Sequence, residues 1–250
     1  MIKTKSTYYD KIIAAILNPV KKVSALMSLI VVVSINGNLY LGSDGRVTDA
    51  ITGQPREYNL CKVYQITKYV GMVSAGRHLD EFPAKLKKWC EDNKIIYVPK
   101  IIPVVSQIAN DIWQKHLEEI KEKSREYPKI SETPLIFMIA GFDSLKKEPI
   151  IYSFDSRKQF SPELRDPVDS VYALSTNSAT GQIDSEKPDE IIKDYIELNV
   201  KSKAVTNMDR TIVEAIEKAI EHFSKTNNSI GLPIFLGKIT KSNGFEWIKN

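Results

Sequence analysis

The stretch "SLIVVVSINGNLYLGSDGRVT", Ser28 to Thr48, sets two apolar, largely β-branched runs on either side of Asn36-Gly37. Such runs bounded by turn residues read as strands, and Asn-Gly between them is a strong hairpin signal because both residues accept positive φ. The predicted strands are Ser28 to Ile35 and Leu39 to Ser43, linked through Asn36-Gly37-Asn38. The far ends of the two strands carry chemistry: a hydroxyl at Ser28 and, sixteen residues later, Asp44, followed by Gly45-Arg46. Taken alone, Asp44 beside Arg46 reads as an ion pair at a strand end.

Outward from the hairpin, residues 61–67 and 69–76 form two further predicted strands joined by a tight turn around Lys68. Helical periodicity follows. Residues 78–92 place Leu79, Phe82, Leu86 and Trp89 on one face, and residues 103–127 do the same with Val105, Ile108, Ile112, Leu117 and Ile120. Strands return at 134–143 and 148–155, with a short one near Gln159-Phe160 and another at 170–176. Two helices are expected at 189–200 and 208–225, the second with Met208, Ile212, Ile216, Ala219 and Phe223 on one side. A final hairpin spans "GLPIFLGKIT" and "GFEWI" through Ser242-Asn243-Gly244. Upstream, "STYYDKIIAAIL" suggests a short amphipathic helix closed by Asn18-Pro19, because the residue before a proline is pushed out of helical geometry.

The order is strands, two helices, strands, two helices, strands, without a Pro/Gly/Ser-rich linker or a solenoid repeat. That is an α+β class chain, in which sheets pack on each other and helix pairs cover the outside, with residues 28–250 as one domain and 1–27 as an N-terminal helical extension. A chain of 250 residues with 42% hydrophobic and 26% charged composition can bury a large core. The net charge of +4 is spread along the chain, so nucleic acid is not an expected partner. Leu29 to Val33 is far too short to span a bilayer and "IIAAIL" makes a poor secretion signal, so no membrane partner is expected. Cys61 and Cys90 lack metal or redox spacing and read as small core residues in a reducing cytoplasm. His116 and His222 fall on predicted helices without a His or Cys partner at ligand spacing, so neither a metal nor another cofactor is expected.

The element order and several local patterns together resemble the proteasome-type N-terminal-nucleophile hydrolases. The opening stretch resembles that family's first hairpin, which begins at the nucleophile and ends in Asp-x-Arg-x-Thr; here Asp44, Arg46 and Thr48. "CKVYQI" resembles the following Lys-Val strand, "GMVSAG" the Ala-Gly turn, and "MIAGFD…PIIYSFD" the later hairpin. The resemblance implies a four-layer αββα sandwich of two antiparallel sheets flanked by helices. It implies Ser28 as nucleophile, Asp44 and Arg46 as the buried acid and its neighbour, and Lys62 as the active-site lysine. Gly76 falls where a backbone N–H lines the oxyanion hole. Thr176, within Ser175-Thr176-Asn177, keeps a hydroxyl where the family has Gly-Ser-Gly. Thr48 corresponds to the residue that pairs with the substrate backbone, and Val47, Ser74 and His78 to the side-chain pocket.

These residue types suit the chemistry. A hydroxyl is a poor nucleophile without a base, and in this family the base is the nucleophile's own α-amine, with an unperturbed pKa of about 7.7–8.0. A nearby lysine cation lowers the pKa of hydroxyl and amine, and a buried aspartate holds that lysine. Ser28 would need to become N-terminal, by self-removal of residues 1–27 as a propeptide or by initiation at Met27 followed by loss of methionine. It is preceded by Leu26-Met27 rather than the family's glycine, and the family's second aspartate has no counterpart around Ala204 to Asn207. The implied activity is a cytoplasmic peptidase or amide hydrolase acting on peptide or unfolded protein, in a homo-oligomeric ring. Nucleotide-binding fingerprints are absent, so an ATPase would be a separate partner. The alternatives are a non-catalytic ring or scaffold subunit that keeps its N-terminal helix, and a stand-alone amidase for a small substrate.

Overall fold

Two residues turn the first hairpin. Asn36 and Gly37 both take positive φ, +51° and +71°, and Ile35 pairs with Asn38 across them. This is the two-residue geometry whose twist matches that of the flanking strands. The computed structural model describes residues 28–48, 54–76, 80–124, 134–175, 188–201, 207–226 and 230–249.

The hairpin strands, β1 (Leu29–Ile35) and β2 (Asn38–Asp44), lie at the centre of a five-stranded antiparallel sheet. A two-stranded ribbon follows, β3 (Arg46–Thr48) with β4 (Pro55–Asn59). Next come β5 (Val63–Thr67) and β6 (Val70–Gly76), then helices α1 (Glu81–Asp92) and α2 (Val98–Ser124). Strands β7 (Leu135–Phe142), β8 (Pro149–Asp155) and β9 (Glu163–Arg165) complete a second sheet in the order β5-β6-β7-β8-β9, again antiparallel throughout. Strand β10 (Ser170–Ser175) then returns to the first sheet beside β1. Helices α3 (Pro188–Lys201) and α4 (Met208–Thr226) and strands β11 (Ile234–Thr240) and β12 (Gly244–Lys249) end the chain, and the first sheet reads β10-β1-β2-β11-β12. The protein is therefore α+β, with two antiparallel sheets and four α-helices among the described residues.

Alternation along β1 shows how the sheets are used, since successive side chains point to opposite faces. Leu29, Val31 and Val33 join an apolar cluster with Ile192 of α3 and Ile212, Ile216 and Phe223 of α4. Ile30 and Val32 join another with Val63, Val73, Met138 and Ala140 of the second sheet. The other face of the second sheet packs against α1 and α2, where Phe137 meets Phe82, Leu86, Ile101 and Val105. A strand buried on both faces explains the unbroken apolar run of β1; each such side chain contributes roughly 1.5–3 kcal/mol.

Several elements differ from the sequence expectation. Helix α2 starts at Val98, not Pro103, and Pro103 lies inside it. A proline suits a first turn, but here Val98 and Ile101 are both fully buried, and their packing carries the helix one turn further back. The short strand expected near Gln159-Phe160 is a turn instead. Both residues have positive φ after a 3₁₀ turn at Ser156–Lys158, capped by the Asp155 carboxylate, which accepts the Arg157 N–H. That turn swings Phe160 into the core against Phe137 and Trp113, and the strand forms only at Glu163–Arg165. No strand is expected from the sequence between Thr48 and Cys61, yet β4 forms there; a proline and three polar side chains hide its extended geometry. Strand β5 begins at Val63 rather than Cys61, and α1 at Glu81 rather than His78. Cys90 is buried as expected, whereas Cys61 is only half-buried.

Candidate active site

Asp44, the last residue of β2, is completely buried. A carboxylate taken out of water needs a hydrogen bond on each oxygen, or its desolvation is uncompensated. Oδ1 accepts the backbone N–H of Leu29 at 2.9 Å and the Lys62 ammonium at 2.9 Å. Oδ2 accepts the backbone N–H of Arg46 at 3.2 Å. Burial pushes the Asp44 carboxyl up from its ordinary range, while the ammonium and the two N–H groups pull against that shift.

Lys62 is itself only 5% exposed, and its ammonium donates a second hydrogen bond to the backbone carbonyl of Arg46 at 2.9 Å. The backbone around it is pinned on two sides. The Ser74 N–H of β6 donates to the Lys62 carbonyl at 3.0 Å, and the Leu60 N–H donates to the Gly45 carbonyl at 2.9 Å. The link between the first hairpin and the second sheet is thus a buried ion pair, clasped on one side by the backbone N–H and C=O of a single residue, Arg46. The ion pair of Asp44 is made with Lys62, eighteen residues along, and its contact with Arg46 is through the backbone.

Ser28 immediately precedes β1 and is 8% exposed. The peptide unit that joins it to Leu29 is anchored by Asp44 Oδ1. Register places Ser175 of β10 opposite Leu29, and Thr176, the next residue along, lies outside the described residues, as does His78. Gly76 ends β6 opposite Leu135 with φ +86°, in the left-handed region. Ser74 is buried, and its side chain hydrogen-bonds with the Tyr64 phenol, whose pKa is pushed up by burial. Val47 and Thr48 lie in β3, the strand that continues directly from Asp44 and Gly45. The structure therefore brings Asp44, Lys62, the backbone of Arg46 and the Ser28–Leu29 peptide together.

Two features were not singled out in the sequence. Gly231 lies against the Arg46 guanidinium, and the Gly45 N–H donates to the Gly231 carbonyl at 3.3 Å. Asp209, at the start of α4, accepts the Tyr40 hydroxyl at 2.6 Å and the Lys238 ammonium at 2.8 Å, tying helix to sheet four residues along β2 from Asp44. Nothing in the sequence marks either, because each joins residues from distant segments. At the turn end of β1, a cleft of about 580 Å³ is lined by Val33, Ile35, Asp169, Lys193, Ile196 and Met208, among others. It opens at the opposite end of the strand from Ser28.

Among the described residues no group of His, Cys, Asp and Glu is arranged to hold a metal ion, and no helix is long and apolar enough to cross a membrane. Comparison of the chain with protein-family models gives no match, and comparison with curated proteins gives none either.

Proposed function

We propose that this chain is a proteasome-type N-terminal-nucleophile hydrolase that cleaves peptide or other amide bonds, with Ser28 as its nucleophile once residues 1–27 are removed. One observation carries the reading. A fully buried aspartate holds a lysine ammonium at 2.9 Å and also accepts the N–H of Leu29, so acid, cation and the peptide that follows Ser28 are locked in one place. An ordinary strand-end ion pair has no need of total burial, which is costly unless every oxygen is satisfied. Two antiparallel sheets with a helix pair packed on each also suit the family's αββα sandwich, the fold we assign.

In this mechanism the freed Ser28 amine takes the hydroxyl proton as Oγ attacks the substrate carbonyl. Lys62 favours the deprotonated forms of both groups through its charge, and Asp44 keeps Lys62 in position. The Gly76 N–H receives the developing oxyanion, a contribution typically worth about 3–4 kcal/mol. The amine then passes its proton to the leaving nitrogen, and water hydrolyses the acyl ester. Thr176 would support the amine, Thr48 would pair with the substrate backbone, and Val47, Ser74 and His78 would line its side-chain pocket. The same reading makes the protein a cytoplasmic homo-oligomeric ring, supplied with unfolded substrate by a separate ATPase.

The alternative, a non-catalytic ring or scaffold subunit, draws on the burial of Ser28: with Met27 attached its nitrogen is an amide and cannot act as a base. Intact mass with N-terminal sequencing, followed by turnover of fluorogenic peptides between pH 6 and 9, separates the two. The hydrolase reading expects a chain starting at Ser28. It also expects activity that rises with pH as an amine of pKa about 7.7–8.0 loses its proton, and no activity in Ser28→Ala. A chain that retains Met1 and turns over nothing would refute it.

A further inference from the structure

We infer that Gly45 is a positioning residue for the Asp44–Lys62 pair, and that it serves by having no side chain. The inference deepens the hydrolase reading and takes its functional meaning from it. Asp44 Oδ2 accepts the N–H of Arg46, two residues on, which closes an Asx turn around Gly45. That N–H belongs to the Gly45–Arg46 peptide unit, which is planar and moves as one body. The unit is held at both ends, its N–H by the Asp44 carboxylate at 3.2 Å and its carbonyl by the Leu60 N–H at 2.9 Å. The next carbonyl, that of Arg46, accepts the Lys62 ammonium at 2.9 Å. The course of the main chain through Gly45 therefore fixes where both members of the pair find their backbone partners.

Two anchored stretches of main chain confine Gly45. On one side are Leu60 and the β3–β4 ladder, in which Arg46 faces Asn59. On the other is the segment that enters β11: the Gly231 carbonyl accepts the Gly45 N–H at 3.3 Å, and Ile234 pairs with Asp44. A Cβ on Gly45 would stand 2.7 Å from the Pro233 carbonyl oxygen, 2.7 Å from Cε2 of Phe235 and 3.0 Å from Cδ of Pro233. The first of these atoms is main chain, next to a residue already paired with β2, and cannot swing aside as the tip of a side chain can. A methyl group at position 45 therefore displaces the Gly45–Arg46 unit, and Asp44 Oδ2 loses the N–H that fixes it. Because Asp44 is wholly buried, solvent does not replace the lost donor, and the carboxylate that holds Lys62 is set loose.

The test is the acylation rate of Lys62 in the full-length chain, read by peptide mass spectrometry with sulfosuccinimidyl acetate. Lys88, whose side chain is 75% exposed, is the reference in the same sample. Gly45→Ala is compared with the parent in enough urea to lower its stability to that of the variant, so that general loosening is matched. Lys62 of the variant should label about threefold to tenfold faster, in keeping with the coupling usual within one hydrogen-bond network. A merely structural role for Gly45 predicts equal rates under that match, and equal rates would overturn the inference. If Gly45→Ala does not fold, amide hydrogen exchange in the parent decides. The Arg46 N–H should exchange within about tenfold of the Leu29 N–H, the other main-chain donor to Asp44. A faster Arg46 amide would mean that the turn around Gly45 is not held, and the inference fails. Neither readout involves turnover, so an inactive chain would sink the hydrolase reading and leave the role of Gly45 decided on its own result.

Discussion

Two lysine–aspartate pairs are attached to β2 four residues apart, and they are built for different work. At Asp44 the carboxylate is wholly buried and the side chain of its Lys62 partner is 6% exposed, with every contact made to backbone or to the other member of the pair. At Tyr40 the phenol reaches Asp209, which is 41% exposed and bonded to Lys238, 18% exposed. Burial pushes the carboxyl of Asp44 up. The same effect is the largest one acting on Asp209, but there the Lys238 ammonium and the Tyr40 hydroxyl together outweigh it and hold the carboxyl below its usual range. A pair kept at the surface can be strengthened by its partners at little risk. A pair taken fully out of water is useful mainly where charge must be held in a fixed place.

That contrast can be broken experimentally, and the largest effect belongs to the buried pair. Lys62→Ala should destabilise the protein by about 3–5 kcal/mol, because Asp44 is left buried without its cation. Urea unfolding would show this as a lowered midpoint, and a loss below about 1 kcal/mol would mean that water reaches Asp44. Next is Tyr40→Phe, which removes a hydrogen bond to a charged, half-exposed acceptor and should cost about 1–2 kcal/mol by the same measurement. Smallest is Lys238→Met, expected at about 1 kcal/mol or less and fading further as salt is raised.

Proton linkage sharpens the comparison. The folded pKa of Asp209 lies below its unfolded value of about 3.9, so its contribution is present above that pH and lost as pH falls through the folded pKa. The gap in thermal midpoint between parent and Asp209→Asn should therefore hold steady from pH 8 to 5 and narrow below about pH 4. A gap that narrows already at pH 6 would assign the effect to another group.

Much of the architecture was legible because periodicity is written locally. The Asn36-Gly37 turn, the apolar run of β1 and the striped helices each announce themselves within a dozen residues. The Asp44–Lys62 contact was legible only through a resemblance, since nothing intrinsic to a lysine eighteen residues from an aspartate directs them together. What escaped was tertiary in origin. Strand β4 exists because it pairs with β3, although its own sequence alternates poorly. Phe160 is drawn into a turn by aromatic partners at 113 and 137, and α2 gains a turn because Val98 and Ile101 find a core to enter. The contact of Arg46 with Gly231 spans 185 positions, and no local signal reports it.

The pairing of the first hairpin has a consequence for the order in which a newborn chain can acquire this site. Strand β1 lies against β10, and Asp44 at the end of β2 faces Ile234 of β11. A polypeptide leaving the ribosome presents Ser28, Asp44 and Lys62 well before β10 and β11, the strands that pair with β1 and β2. At about 5–20 residues per second the early hairpin waits roughly ten seconds or more for its neighbours. The surroundings of Asp44 are therefore complete only once β11 has been made.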